Sequence, residues 1–569
     1  MVKKMLKTIT DEKNAAKVLW AAALLLAAFK IFLCKYQMML ASPELSPIDD
    51  TLMFDLANSI VKGEWLGEYN WLTLGKHSFY ALWLAVLHLL GINVLVGGQL
   101  LYAAACLVLF AAVKPLFKHG WARLAFYGLI LFFPVSWAEY TLRIYRDNIY
   151  PSLVLMLFSA VLGAFVRFDE KAGKAVPYLL VAGFSGGAAY LTHEDNILLL
   201  PFLLVGAAFY LLFLFRSPEV KQKARKALQL LVPAAICLLC VCLWCGMNLA
   251  HYGRFIVSDY TSPEFEAAVG AMARACPEDQ ERYLMIPRTT RLALYEVSPT
   301  LATIEPYMES PDIYGGYGDP SDKEIFSGGF HWAFRRAAQA AGYYETPEKA
   351  RQFYLAVAAE VNAACDEGLL PAGPRYSGIY APFRWDYVLP TLQKFGDALR
   401  ITVLYEQTQP TTVLSIARPD QTEEWEGFLH CQSTISAIAY TELAYYWPNQ
   451  LRAYLVLNAF TWLHRILIFP MMALAIFWFV RYLRCLAKDR FRGGGAPLLG
   501  AILLAGFFLS AILRAAAISY IFAIATPLPV YLMYLGPVGC LFFAFFAYGA
   551  LKAGEEFLDA RRAKKQPAA

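Results

Sequence analysis

Ionisable side chains are concentrated at four connections between apolar stretches of the sequence. An acidic pair, Asp49 and Asp50, opens an amphipathic pattern, and a lone Lys76 stands just before the next apolar stretch. Charged groups at a boundary between water and lipid cost free energy unless they are paired or used. The residues in this position are Asp49, Asp50, Lys76, Arg143, Arg146, Asp147, His193, Glu194, Asp195 and Arg514.

This combination of residue types suits the transfer of a sugar from a lipid phosphate to a hydroxyl or an amine. A carboxylate accepts the proton of the acceptor while the acceptor attacks an anomeric carbon. Cations stabilise the charge that grows on the departing phosphate. The candidate catalytic residues are Asp49, Asp50 and Asp147; those for the donor phosphate are Lys76, Arg143, Arg146 and Arg514; those for the acceptor or the donor sugar are His193, Glu194 and Asp195.

The elements that must position these residues are membrane helices. The 569-residue chain is 58% hydrophobic and 17% charged, with a mean hydropathy of +0.43, which is typical of a polytopic membrane protein. The net charge of +5 is spread over short clusters, which argues against nucleic-acid binding. About ten apolar stretches have the length of a membrane-spanning helix. They are residues 18–40, 93–113 (with 79–90 leading into it), 122–138, 150–166, 176–192, 196–216, 227–250, 453–480, 496–513 and 528–551.

Positive charge predicts the orientation of these helices, because short loops rich in Lys and Arg stay cytoplasmic. The basic clusters fall at alternate connections, so both termini are predicted to be cytoplasmic and the candidate residues to lie on the outer side. The cytoplasmic clusters are Lys3, Lys4, Lys7, Lys13 and Lys17; Lys114, Lys118 and Arg123; Arg167, Lys171 and Lys174; Lys221, Lys223, Arg225 and Lys226; Arg484, Lys488, Arg490 and Arg492; and Arg561, Arg562, Lys564 and Lys565.

The long outward segment has the size of a domain. Its clearest helix runs from Thr346 to Gly368, with Thr346 as the cap and Pro347 in the first turn. A short strand is predicted at Ile401–Tyr405. The predicted fold is therefore an all-α polytopic membrane protein with a mainly helical extracytoplasmic domain inserted before the last three spans. Its parts are a membrane module at 1–250, the outward domain at 251–452, and membrane helices with a cytoplasmic tail at 453–569.

Each candidate residue also has a purely structural interpretation. The residues Ser46, Pro47 and Asp49 fit a helix-capping box, and so do Thr192 and Asp195. Asp147 or Asn148, before Pro151, suits a helix N-cap. The basic side chains could simply reach lipid headgroups. The coincidence of all of them on one predicted face is what favours a functional site.

The donor should be anchored in the membrane. No nucleotide sugar is expected outside the membrane, and the sequence has no glycine fingerprint for a nucleotide between a strand and a helix. A lipid phosphate that carries its own sugar meets both conditions.

The residues described above and the sequence around them resemble the GT-C superfamily of integral-membrane glycosyltransferases. The similar branch uses polyprenyl-phosphate sugars and includes lipid A aminoarabinose transferases and protein O-mannosyltransferases. Asp49-Asp50 stands where that family has an Asp-Glu pair, and Lys76-His77-Ser78 where relatives have Lys-Pro-Pro. Ala57, Gly63, Trp65 and an acidic residue of the second outward loop, here Asp147, also match, over roughly residues 1–220.

The resemblance implies a GT-C-like fold and an inverting single displacement. It implies Asp49 as the general base, Asp147 as a second acidic group that orients a substrate, and Lys76 with Arg146 as the phosphate clamp. Some relatives use a divalent metal and others do not, so the resemblance leaves open whether Mg or Mn is a cofactor. The implied partners are a polyprenyl-phosphate sugar, a glycolipid, polymer or protein acceptor, and membrane lipids, and the implied location is the bacterial plasma membrane, although an endoplasmic reticulum location obeys the same topology.

Two other classes of function remain open from the sequence. A transporter or flippase of lipid-linked saccharides would use the same cations, but it would need charged residues at mid-membrane, where only Lys30 stands. A non-catalytic envelope protein could bind glycans through aromatics of the outward domain. Candidates for sugar stacking there are Trp332, Tyr343, Tyr344, Trp385 and Tyr387. Cys276, Cys365 and Cys431 allow at most one disulfide in that segment.

Overall fold

The computed structural model describes residues 12–434, 448–488 and 495–565. Some residues used for the predicted orientation lie outside these ranges. They are Lys3, Lys4, Lys7, Arg490 and Arg492.

The described chain is mainly helical with almost no sheet, and it is a multi-pass membrane protein. Within the described ranges, eight helices are long and apolar enough to cross a membrane, and a ninth span results if one bent pair counts as a single crossing. The prediction of an all-α polytopic fold is confirmed. The N-terminal helices are α1 Glu12–Cys34, α2 Asp50–Lys62, α3 Phe79–Leu89, α4 Val94–Ala112, α5 Gly120–Leu131, α6 Tyr150–Phe165, α7 Val176–Thr192, α8 Leu200–Arg216, α9 Lys223–Leu228 and α10 Leu231–Tyr252.

The predicted spans all coincide with helices, but two of them differ from a simple crossing. The predicted span at 122–138 is broken: α5 and the segment Pro134–Leu142 meet at an angle of 42°. Pro134 has no N–H to continue the helix, which explains the break. Helix α6 has only 16 residues and is too short for a full crossing at ordinary tilt. Both departures place non-helical backbone at the end of the bundle that carries the candidate residues.

The last three spans are α20 Pro448–Lys488, α21 Gly495–Ala525 and α22 Leu532–Lys565. Helix α22 forms the centre of the bundle, since 89% of its most apolar window is buried. Helix α21 packs closely on α8, where a Cβ at Gly506 would come within 2.9 Å of the Phe202 ring. Glycine at this position therefore lets the two helices approach each other.

A second hydrophobic core lies between Phe265 and Ala381 and is separate from the core of the membrane helices. It is built by short helices and one small antiparallel hairpin. The elements are α11 Pro263–Arg274, α12 Arg288–Val297, α13 Pro299–Ala302, α14 Glu305–Met308, α15 Pro311–Tyr317, β1 Gly318–Asp319, β2 Glu324–Ile325, α16 Ser327–Ala340 and α17 Pro347–Asp366.

Helix α17 begins and ends where the sequence predicts. The Thr346 hydroxyl accepts from the backbone N–H of Lys349, Pro347 occupies the first turn, and Gly368 follows with φ +75°. The positive φ is a conformation that glycine adopts without steric cost, so the helix stops there.

The predicted strand at Ile401–Tyr405 is wrong. These residues form the end of α18, Val388–Leu404, which packs on α21 and α22. Ala398, Ile401 and Tyr405 are buried in the core of the membrane helices. Tertiary packing has overridden the β-branched residues of this stretch. The next helix, α19, is Pro419–Leu429.

One buried ion pair ties the second core to the loop before Lys76. The Arg335 guanidinium, fully buried, lies 2.7 Å from the Asp259 carboxylate and also donates to the carbonyl of Trp71. The backbone N–H of Asp259 donates to the Leu74 carbonyl at 2.9 Å. The Tyr69 hydroxyl donates to Asp259 at 3.2 Å. The loop that carries Lys76 is thus held from both sides.

We expect Arg335→Met to lower the free energy of unfolding by about 3–5 kcal/mol, because it leaves the Asp259 carboxylate buried and unpaired. The matched control is Arg375→Met, since Arg375 is 73% exposed in its pair with Asp366 and should contribute below ~0.5 kcal/mol. Thermal unfolding of the purified chain in detergent measures both. Adding Asp259→Leu to Arg335→Met should recover part of the loss. Equal thermal midpoints for Arg335→Met and Arg375→Met would contradict a stabilising role for the Arg335–Asp259 ion pair.

Candidate functional site

Helix α2 presents the acidic pair at its first turn. Its apolar face, including Leu52, Phe54 and Leu56, is buried, and the helix ends at Gly63 with φ +83°. Asp49 occupies the N-cap position, but its side chain makes no capping hydrogen bond. The capping interpretation is therefore wrong for Asp49, whose carboxylate points to other partners.

Those partners are two cations from separate loops. Lys76 forms an ion pair with Asp49 and donates to the Tyr145 hydroxyl at 3.0 Å. Arg143 binds Asp50 with two nitrogens, at 2.6 and 3.1 Å, and also lies 3.4 Å from Asp49. Paired bonds of this kind fix geometry as well as charge. The first two of the four connections therefore meet at the acidic pair.

The electrostatics of this cluster keep Asp49 ionised. Burial raises the pKa of the Asp49 carboxyl, but the charges of Lys76 and Arg143 outweigh burial and lower the pKa to about 2. Asp49 is more accessible than Asp50: their side chains are 30% and 3% exposed. Asp49 is thus the carboxylate of the pair that a substrate could reach.

A second group of pairs joins the next two connections. Arg146 donates to both oxygens of Glu194, at 2.6 and 2.8 Å. The backbone N–H of His77, next to Lys76, donates to the same carboxylate at 3.0 Å. Glu194 therefore connects the loop of Lys76 to the loop of Arg146.

Asp195 extends the network to α21. Its carboxylate lies 2.6 Å from Nη2 of Arg514 and 2.7 Å from Nδ1 of His193, and it accepts from the Tyr150 hydroxyl at 3.1 Å. The Thr192 hydroxyl donates instead to the Ala188 carbonyl. Neither Thr192 nor Asp195 caps a helix through its side chain, so that interpretation is wrong here as well.

Burial decides between a packed site and contact with lipid headgroups. The side chains of Lys76, Arg146 and Arg514 are 6%, 9% and 1% exposed. Side chains that merely reach headgroups keep their charged ends in water. These three cations lie inside the protein and depend on its carboxylates for compensation.

Asp147 lies between the pairs and has no hydrogen-bond partner of its own among the described protein atoms. Both carboxylate oxygens are buried and unpartnered, although His193, Arg146 and Arg514 interact with it electrostatically. Burial raises the pKa of Asp147, and these neighbours offset only part of the effect. Its side chain does not cap the following helix. An unpartnered buried carboxylate marks a place where a ligand or water completes the bonding.

The structure thus brings together every candidate residue of the sequence, in one network at one end of the membrane helices. It adds groups that the sequence analysis missed: the hydroxyls of Tyr145 and Tyr150, the backbone N–H of His77, and the Tyr534 carbonyl, which accepts from Arg514 at 2.9 Å. Tyr145 and Tyr150 flank Arg146 and Asp147 in the sequence, and that proximity was the available signal.

Within the described structure, these residues do not form a set of metal ligands. Across residues 12–434, 448–488 and 495–565, no three His, Cys, Asp or Glu side chains are grouped so that they could hold a metal ion. The thiols of Cys276, Cys365 and Cys431 are free in this structure.

Comparisons with known proteins give two distant likenesses. No family model matches the sequence, and no curated protein matches it. Among solved structures, the chain is similar to ArnT from Cupriavidus metallidurans in the apo state, with 14% identity, a TM-score of 0.31 and coverage of 94% of this chain and 78% of that one. For the same protein bound to undecaprenyl phosphate the values are 14%, 0.29, 97% and 80%. Likenesses at this level carry no argument about the site.

We expect Asp147→Asn to stabilise the protein at neutral pH by about 1 kcal/mol or more, because it removes a buried charge that lacks hydrogen bonds. The sign follows from the raised pKa: the protonated carboxyl contributes stability below about pH 4, and this is lost as pH rises through the folded-state pKa. The gain of the variant should therefore grow between pH 4 and pH 7.

Thermal midpoints of the wild type and Asp147→Asn across this pH range measure the effect. Asp386→Asn is the matched control, because the Asp386 side chain is 58% exposed. A variant that is less stable than the wild type at pH 7, but equal to it at pH 4, would show that the ionised carboxylate stabilises the fold.

Proposed function

We propose that the protein is a GT-C-type membrane glycosyltransferase that moves a sugar from a polyprenyl-phosphate donor to an acceptor on the extracytoplasmic face. The observation that carries this proposal is the convergence of four cations and five carboxylates at one end of the membrane helices. They come from the loops around Asp49, Lys76, Asp147 and Asp195 and from α21.

The cations suit a phosphate clamp. Each of them now binds a carboxylate, and a lipid phosphate can take the place of that carboxylate with similar geometry. Two donors in the same network, Nε of Arg146 and Nη1 of Arg514, are buried without a hydrogen-bond partner in the described structure. Unpartnered donors beside an unpartnered Asp147 are the bonding pattern of a site that is completed by a ligand.

Exchange of partners also prepares the general base. With a pKa of about 2, Asp49 is a weak base while Lys76 and Arg143 bind it. When the donor phosphate draws Lys76 away, the basicity of Asp49 rises. Asp49 then accepts the proton of the acceptor hydroxyl or amine as the acceptor attacks the anomeric carbon. The bond from this carbon to the phosphate oxygen breaks, and the phosphate leaves with the electron pair, stabilised by the cations.

An apolar groove next to the network supports a lipid-linked donor. It runs between α8 and α21 and holds about 170 Å³. Leu513 lines one end, directly before Arg514, and Leu509 and Val205 along it are exposed. A prenyl chain in this groove would end beside the cations.

The opposite end of the bundle carries the basic loops. Lys118 and His119 pair with Asp559 near the end of α22, and Arg167 donates to the Ala112 carbonyl at the end of α4. By the positive-inside rule this end is cytoplasmic. The site then faces outward, where the donor must be a membrane lipid.

A transporter or flippase of lipid-linked saccharides is the second candidate, and Lys30 favours it. This lysine is buried within α1, donates to the Ser136 hydroxyl at 2.8 Å and lies over the Tyr102 ring at 3.8 Å. Ionisable residues inside a membrane often serve transport. Movement of labelled lipid between the leaflets of sealed vesicles, without transfer of sugar, would favour this candidate.

The transferase is tested with radiolabelled polyprenyl-phosphate monosaccharides and membranes that contain the intact chain. Asp49→Asn and Lys76→Ala should each reduce transfer by about a hundredfold or more, because the first removes the base and the second removes a phosphate ligand. Asp55→Asn and Lys62→Ala, on the exposed side of α2, are the matched controls and should transfer as the wild type does. Intact donors after incubation with the folded wild type would overturn the proposal.

A further inference from the structure

Trp332, on a helix that builds the second core, reaches the charged network. It lies on α16, half-buried, with its ring centroid 5.1 Å from Nζ of Lys76. On the membrane side the same Nζ lies 5.0 Å from the Tyr145 ring centroid. Lys76 is therefore enclosed between an aromatic ring of each part of the protein.

The Trp332 ring is held in place from behind. Tyr260 stacks on it with centroids 5.1 Å apart and planes 21° from parallel, and Trp71 meets it at 6.3 Å. The ring of the neighbouring His331 is hydrogen-bonded to the Ile379 carbonyl at 2.5 Å, and Arg335 forms the buried ion pair with Asp259. A ring that is fixed before the ligand arrives binds with a smaller loss of entropy.

The other aromatics that the sequence suggested for sugar stacking are placed differently. Trp385 is 84% exposed, and Tyr344 is buried and bonded to Tyr354. Tyr387 is buried and Tyr343 packs against Phe353. Within the described structure, none of these four rings lies over a cation of the network.

We propose that Trp332, backed by Tyr260, is the platform for the donor sugar; this inference rests on the proposed function. When a lipid phosphate binds Lys76, the sugar on that phosphate lies within about the width of one sugar ring from Nζ. The face of the Trp332 indole that Lys76 covers is at a similar distance from Nζ. The electron-rich face of an indole attracts the weakly positive C–H groups of a sugar as it attracts a cation. Apolar and aromatic walls with few polar groups are typical of small-molecule sites.

The test separates recognition of the sugar from recognition of the phosphate. Binding of undecaprenyl phosphate, and of undecaprenyl-phosphate monosaccharides, is measured on the purified full-length chain in nanodiscs. Trp332→Leu should weaken binding of the sugar-bearing lipid about tenfold and leave binding of the bare lipid phosphate within about twofold. Trp332→Phe, which keeps an aromatic face, should bind both within about threefold of the wild type. Trp385→Leu is the matched control and should change neither.

Each outcome decides something. If Trp332→Leu weakens both lipids equally, or neither, the platform is overturned while the phosphate site stands. If the folded wild type binds neither lipid, the proposed function falls and the platform falls with it. Thermal midpoints are compared for all variants; should Trp332→Leu not fold, Trp332→Met replaces it at similar volume, and the same differences are required.

Discussion

The structure depends on the rule that a charge removed from water needs a partner. Lys76, Arg146 and Arg514 are nearly inaccessible, so each must meet a carboxylate or leave a buried charge uncompensated. Lys76 pairs with Asp49 of its own connection, but the carboxylates that pair with Arg143, Arg146 and Arg514 lie on other connections, and this pairing draws the connections together. The ion pairs thus organise one end of the membrane helices, where the broken span and the short α6 leave backbone that can adapt.

If the protein binds a lipid phosphate as proposed, the same pairs explain how a stable network also accepts an anion. A carboxylate and a phosphate offer a cation the same kind of acceptor, so exchange of one for the other keeps the number of charge-assisted bonds. The net cost of opening the site is then small compared with that of exposing a bare cation. Asp147 lacks hydrogen bonds among the described atoms, so a ligand bound as proposed would change the bonding of this group most.

The convergence of the charged residues could be predicted because alternation of basic loops assigns each connection to a side of the membrane. Placement on one side does not give the pairing: that Arg143 binds Asp50 while Arg146 binds Glu194 depends on how helices rotate in the bundle. The strand predicted at Ile401–Tyr405 failed for a related reason, since burial against α21 and α22 overrides local preference. The sequence offers five aromatic residues for sugar stacking, and only the packing against Lys76 distinguishes Trp332 from the other four.

Helix α16 connects the stability of the second core to the chemistry of the site. Trp332 and Arg335 are three residues apart, so they lie on the same face of the helix. Arg335 binds Asp259 and the Trp71 carbonyl, which fixes the loop before Lys76, while Trp332 covers Lys76 itself. A displacement of α16 would therefore move the loop and the aromatic ring together. The candidate site therefore combines charged residues at the end of the membrane helices with Trp332 on a helix of the second core, so its geometry depends on both hydrophobic cores.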